Sequence, residues 1–168
     1  MTEKLCLCAT KKDEDAKVNQ ETLNLKAFCE DEIEKWCLLC RGTRRTFRLE
    51  ETGTERPVVT SRMLLTRIFD NLISNAIKYS DGQILTQLDF SNSEQITLSV
   101  IDSGSGIKPT ELSGIFDTCI RGSNTGSVSG FGIGLASVKR AAQVLDLGLE
   151  VWSEEGVGSE FRIIFRDH

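Results

Sequence analysis

Residues 61–102 read SRMLLTRIFDNLISNAIKYSDGQILTQLDFSNSEQITLSVID, and this stretch decides the architecture. Leu64, Leu65, Ile68, Phe69, Leu72, Ile73, Ala76 and Ile77 recur at three- and four-residue steps, the stripe of an amphipathic helix. Ser61 suits the N-cap, and Ser80-Asp81-Gly82 suits the stop. The apolar period then shortens to that of strands over 83–90 and 95–102. Ser91-Asn92-Ser93-Glu94 joins them, which by length is an antiparallel hairpin.

The flanks extend this pattern. Leu25, Phe28, Cys29, Ile33, Trp36, Cys37 and Cys40 predict a helix over 23–40, closed by Arg41-Gly42-Thr43. Residues 46–50 alternate as a half-buried strand does, and 51–57 read as a turn. Downstream, 103–130 carries six glycines and one short apolar segment at 112–116. Connections of that length in compact domains usually carry function. A third helix is predicted over 132–147, then strands over 149–153 and 159–165 around a turn at 154–158. Residues 1–21 are polar and charge-rich, and read as a loose leader or the remnant of a preceding element. Residues 22–168 read as one domain. The order predicts an α/β two-layer sandwich: a mixed, mostly antiparallel sheet with helices packed on one face.

Composition limits the functions. Of 168 residues, 39% are hydrophobic and 27% charged, enough for a buried core. The net charge of −5 argues against nucleic-acid binding, which usually needs a basic footprint. No apolar run reaches the ~18–20 residues of a membrane-spanning helix, and no signal peptide is evident. The six cysteines include a CxC at Cys6 and Cys8 and a CxxC at Cys37 and Cys40. The one histidine is His168, so a zinc site of two cysteines and two histidines is excluded. A four-cysteine site stays open, but reduced, half-buried thiols of a cytosolic protein are the simpler reading.

Three clusters carry chemistry. Asn71, Asn75 and Lys78 share one face of the middle helix, offset from its apolar stripe. Amide oxygens suit Mg²⁺ and a lysine suits phosphate; alone, such a face is more often simply solvated. In Val100-Ile101-Asp102-Ser103-Gly104-Ser105-Gly106-Ile107 a strand ends in an Asp that can accept from an exocyclic amine. The glycines beside it let backbone approach a flat ligand. The plain alternative is an Asp-Ser-Gly turn. Ser129-Gly130-Phe131-Gly132-Ile133-Gly134-Leu135 opens into a helix, whose free N–H groups and positive dipole end suit phosphate, or else forms a hinge.

Together and in this order, the clusters resemble the catalytic and ATP-binding domain of sensor histidine kinases. That domain belongs to the superfamily of DNA gyrase, MutL and the heat-shock ATPase chaperones, and has the Bergerat ATP-binding fold. Residues 70–79 look like its N box, 102–107 its first glycine box, 114–117 running on to Arg121 its F box, 130–135 its second glycine box, and 156–161 its closing glycine motif. The match covers about 22–166. It implies ATP and Mg²⁺ as cofactors. Asn75 would bind Mg²⁺, with Asn71 assisting at the metal or phosphates. Lys78 would touch phosphate, and Tyr79 would lie against the nucleotide. Asp102 would bond the adenine amine, with Gly104, Gly106 and Ile107 in its motif and Ser159 near that edge through water. Arg121 would approach the γ-phosphate. Gly132 and Gly134 would donate backbone N–H groups, flanked by Gly130, Phe131, Ile133 and Leu135.

Relatives that hydrolyse ATP carry a Glu four residues before the metal Asn, where this chain has Asn71. Without that base, water attack is disfavoured and transfer to a protein histidine is favoured. Asn71, Lys78 and Arg121 are the implied catalytic residues. No upstream histidine is present, so the resemblance implies an excised catalytic domain or one that acts on another polypeptide. The implied partners are ATP or ADP, a histidine-bearing dimerisation domain and a downstream response regulator, with no nucleic-acid or membrane contact. The isolated chain is expected to be monomeric and cytoplasmic, whether or not a parent protein is membrane-anchored. The alternatives are a related ATPase or serine kinase of the superfamily, or a degenerate nucleotide-binding module used for protein contacts.

Overall fold

The computed structural model describes residues 3–7, 18–117 and 134–166. A six-stranded sheet forms its centre. The strands are β1 (Glu3–Leu7), β3 (Thr46–Gly53), β5 (Gln83–Phe90), β6 (Gln95–Asp102), β7 (Gly148–Glu154) and β8 (Gly158–Arg166), in spatial order β1-β7-β8-β6-β5-β3. All neighbours are antiparallel except β3 and β5. That pair is parallel because the chain between them crosses over through a helix. β2 (Glu21–Leu23) and β4 (Val58–Thr60) form a separate two-stranded antiparallel ribbon. The helices are α1 (Leu25–Leu39), α2 (Arg62–Tyr79), the short α3 (Pro109–Leu112) and α4 (Gly134–Val144). The expected two-layer α/β sandwich is the observed architecture.

The alternation read over 83–90 shows why one sheet face takes the helices. Ile84, Thr86, Leu88 and Phe90 are buried, while their strand neighbours are only partly covered. Against this face α2 buries Leu65, Ile68, Phe69, Leu72, Ile73 and Ala76, each worth about 1.5–3 kcal/mol for the larger side chains. Phe69 meets Phe28 of α1 edge to face at 5.8 Å between centroids. α1 starts at an N-cap, Asn24, whose side chain accepts from the Ala27 amide at 2.8 Å. Ser61 is the N-cap residue of α2 but makes no side-chain capping bond.

Polar contacts fix the register of α1 on α2. Glu32 is buried, yet it accepts from Thr66 Oγ1 at 3.0 Å and pairs with Lys35. Lys35 Nζ and Trp36 Nε1 both donate to Asp70, at 2.8 and 2.9 Å. The C-terminal end of α2 is held by Arg45, which donates to the carbonyls of Ile77 at 2.8 Å and Ser80 at 3.2 Å. Those carbonyls lack partners within the helix, so a guanidinium suits them.

The reading of 1–21 as a loose leader needs correction at two places. Glu3–Leu7 is β1, the sheet's edge strand, paired with β7 from Glu3↔Ser153 to Leu7↔Leu149. Its alternation was hidden by Cys6 and by the charged residues around it. Lys4 lies over the Trp152 ring at 4.5 Å and pairs with Glu150 at 3.0 Å. The second place is Glu21, which starts β2. The expected turn at 51–57 is shorter, because β3 continues through Gly53 beside β5. Cys6, Cys29, Cys37 and Cys40 are free thiols. No cluster of three potential metal-binding His, Cys, Asp or Glu occurs among the described residues.

Candidate functional site: a buried aspartate turn and a polar helix face

Asp102 ends β6, opposite Ile84 of β5 on one side and Ser159 of β8 on the other. Its Oδ1 accepts from the Gly104 amide at 2.8 Å. Burial raises the pKa of this carboxyl above its ordinary value, while the amides of Gly104 and Ser159 pull it down. The group is thus held in place by backbone donors and partly withdrawn from water. It can accept one more donor from a ligand.

The glycines next to it have a structural reason that sequence reading missed. A Cβ on Gly104 would stand 2.2 Å from the Tyr79 carbonyl oxygen, and one on Gly106 would stand 2.0 Å from that of Glu154. Gly106 also has φ +64°, a conformation that favours glycine. The turn after β6 is therefore pressed between the end of α2 and the β7–β8 turn. Ser105 N donates to the Tyr79 carbonyl at 3.1 Å, and Gly156 N donates to the Ser105 carbonyl at 2.8 Å. Ile107 N donates to Ser153 Oγ at 2.9 Å. Ser153 Oγ in turn lies 3.0 Å from the Gly158 carbonyl and 2.9 Å from Ser159 Oγ. Ser153 was not among the expected residues. Its signal was a small polar residue on the face of β7 that otherwise buries Leu149 and Val151.

The face of α2 beside this pocket is organised differently. Asn71, Asn75 and Lys78 are half-buried, in the expected row. Asn71 Nδ2 donates to the Arg67 carbonyl one turn back at 2.7 Å, a bond that does not use its Oδ1. That oxygen points at the first turn of α4: a Cβ on Gly134 would come within 2.9 Å of it. The Asn75 amide has no hydrogen-bond partner among the described residues. Lys78 Nζ lies 5.3 Å from the centroid of the exposed Tyr79 ring. Leu135 packs against the core from α4. Phe116, in the segment expected to look like an F box, is buried edge to face on Phe161 at 6.5 Å. Asp117 reaches Lys139 of α4 at 3.4 Å.

The structure thus joins Tyr79, Asp102, Gly104, Gly106, Ile107 and Ser159 where the end of α2, the end of β6 and the β7–β8 turn meet, and sets Asn71 against Gly134 of α4, with Asn75 and Lys78 farther along the same α2 face. Arg121, Gly130, Phe131, Gly132 and Ile133 lie outside the described residues.

Residues 60–168 match the family described as histidine kinase-, DNA gyrase B-, and HSP90-like ATPase. The chain belongs to this family. Curated relatives include the sensor protein BceS of Halalkalibacterium halodurans, 33% identical over 86% of this chain and 43% of its own length. The aerobic respiration control sensor protein ArcB of Escherichia coli is 36% identical over 70% of this chain and 16% of its own. The chain therefore spans less than half the length of these relatives. Among solved structures, the mycobacterial sensor histidine kinase MprB matches with a TM-score of 0.74 at 23% identity, over 88% of this chain and 97% of that one. Full-length ShkA, solved in complex with AMPPNP, matches with a TM-score of 0.79 at 20% identity, over 90% of this chain and 32% of that one. These structures share the fold.

Proposed function

We propose that this chain is the ATP-binding catalytic domain of a two-component sensor histidine kinase. It transfers the γ-phosphoryl group of ATP to a histidine on another domain or chain, from which a response regulator is served. The observation that carries this reading is the join between two half-sites. A desolvated, backbone-held carboxylate at Asp102 sits beside an asparagine–lysine helix face that has no carboxylate base. Asp102 accepts from the 6-amino group of adenine, over the turn held by Gly104, Gly106 and Ile107 and beside Ser159. Lys78 neutralises phosphate charge, and Tyr79 lies against the nucleotide. The first turn of α4 at Gly134 presents backbone N–H groups to the phosphates. Arg121 and the segment Gly130, Phe131, Gly132 and Ile133 take their phosphate roles from motif alone.

The α2 face fits Mg²⁺. The Asn75 amide is uncommitted among the described residues, and Asn71, one turn earlier on the same helix face, leaves its oxygen out of its bond to Arg67, beside Gly134. Mg²⁺ usually keeps several waters and takes only a few protein oxygens, so two amides and the ATP phosphates suffice. The ion would supply charge neutralisation at the phosphates. This chain's residues hold the base, align the phosphate chain and leave no general base for water, so the incoming histidine is the nucleophile. The domain is a cytoplasmic monomer when isolated.

Two experiments test the reading. Calorimetry should show ADP binding that Mg²⁺ strengthens. Incubation with γ-labelled ATP, Mg²⁺ and a histidine-bearing dimerisation domain should place acid-labile label on that partner, with little free phosphate. Steady phosphate release from the chain alone, lost in Asn75→Ala, would favour an ATPase instead.

A further inference from the structure

The hydroxyl of Ser153 is buried and meets three polar neighbours: Ile107 N at 2.9 Å, the Gly158 carbonyl at 3.0 Å and Ser159 Oγ at 2.9 Å. A serine hydroxyl has one proton to donate and two lone pairs to receive. The Ile107 amide is a donor and takes one lone pair. The Gly158 carbonyl is an acceptor and takes the proton. One lone pair remains, so Ser159 must be the donor in the Ser153–Ser159 contact. Ser159 has then spent its only proton on Ser153, and its oxygen offers the pocket lone pairs alone.

Register places Ser159 directly between Asp102 of β6 and Ser153 of β7. Asp102, ionised, also offers only lone pairs, with one carboxylate oxygen engaged by the Gly104 amide. We infer that Ser153, although buried, sets the base specificity of the proposed adenine site: by fixing the direction of the Ser159 proton it leaves an edge made of acceptors, which takes a 6-amino purine and rejects a 6-oxo purine. This inference deepens the proposed function and rests on its adenine site. Ser153 is a positioning residue. It acts through Ser159 and holds the Gly106–Ile107 turn against the β7–β8 turn. A carbonyl oxygen at position 6 of the base would face two sets of lone pairs. An amino group would satisfy them. Sites built around such polar complementarity discriminate far more sharply than apolar pockets do.

The test compares ADP with inosine diphosphate, its 6-oxo analogue, by calorimetry on the full chain at pH 8. The wild-type chain should favour ADP by roughly 100-fold or more. In Ser153→Ala the Ser159 proton is released to turn toward the pocket, so the ADP-to-IDP ratio should fall by about 10-fold, mostly through a gain for IDP. Ser153→Thr keeps the hydroxyl and should keep the ratio. Ser159→Ala removes the acceptor itself and should lower the ratio through loss of ADP affinity, which gives a second readout if Ser153→Ala does not fold. A purely structural role for Ser153 would weaken both nucleotides equally. An unchanged ratio in the folded variants would therefore overturn the inference. A wild-type chain that binds ADP and IDP equally would overturn the inference but not the nucleotide site. A chain that binds neither would overturn both.

Discussion

The two halves of the candidate site are built on opposite plans. At the proposed base end, Gly104 is bonded to Asp102, and Ser153 to Ile107, Gly158 and Ser159, through backbone and hydroxyl groups at 2.8–3.0 Å. At the proposed phosphate end, the Asn75 amide lacks a hydrogen-bond partner among the described residues, and Lys78 Nζ lies 5.3 Å from the Tyr79 ring centroid. The first half is organised before a ligand arrives. The second holds polar groups in reserve for one. A purine is flat, rigid and of one shape, so a preformed slot loses little entropy in binding it. A triphosphate with its metal is flexible and highly charged, and it is better met by side chains that are free to reorient.

The contrast breaks most sharply at Gly106. In Gly106→Ala the new methyl meets the Glu154 carbonyl at 2.0 Å, at φ +64°. Strain of about 1–3 kcal/mol is expected from the backbone alone, and relief of the clash must open the turn. ADP titration combined with thermal unfolding should show both a lower Tm and loss of measurable binding. An alanine variant that binds normally would mean that the turn is not preformed.

Asp102→Asn is the next largest. It replaces a charged acceptor by a group that presents a donor to the amine, so ADP affinity should drop by roughly 10–100-fold, the worth of a hydrogen bond to a charged group. Because burial disfavours the carboxylate, the variant should unfold at the same temperature as wild type at pH 7, or slightly higher. Affinity and stability thus move in different directions, and calorimetry paired with a melting curve separates them.

The pH dependence follows from the same group. Its folded pKa is raised, so protonation, which abolishes its use as an acceptor, begins at higher pH than for an ordinary aspartate. ADP affinity measured from pH 8 downward should weaken with a midpoint above that of an ordinary aspartate. The same raised pKa means that this carboxyl contributes to folding stability in the acid direction and detracts from it once ionised. A midpoint at or below the ordinary value would contradict the desolvated pocket.

The smallest effect on stability belongs to the reserve half. Asn75→Ala removes no described hydrogen bond and should change unfolding free energy by less than about 0.5 kcal/mol. It should nonetheless remove the gain in ADP affinity that Mg²⁺ provides. A large fall in Tm with the Mg²⁺ effect intact would show Asn75 to be structural.

Most of this was legible in the chain. The stripe Leu65–Ile68–Phe69–Leu72 and the alternation over 83–90 place α2 and β5 almost to the residue, because core burial and period coincide there. Asp102 and its glycines were readable as a site, but the reason for the glycines was not. Gly104 and Gly106 are required by the carbonyls of Tyr79 and Glu154, which are distant in sequence. β1 escaped notice because an edge strand of Glu3-Lys4-Leu5-Cys6-Leu7 has only a weak alternation, and its partner β7 lies at the other end of the chain. Arg45 and Ser153 were missed for a related reason. Each acts through bonds to main-chain groups far along the sequence, and neither spacing nor residue type reveals such bonds.

The central claim is that a base slot formed in advance lies beside a phosphate face that Mg²⁺ completes. It is tested most directly by calorimetric titration of the chain with ADP, with and without Mg²⁺. Saturable binding that persists at reduced strength without the metal and tightens with it is the predicted result. Absence of heat at about 1 mM ADP in both conditions would contradict the account.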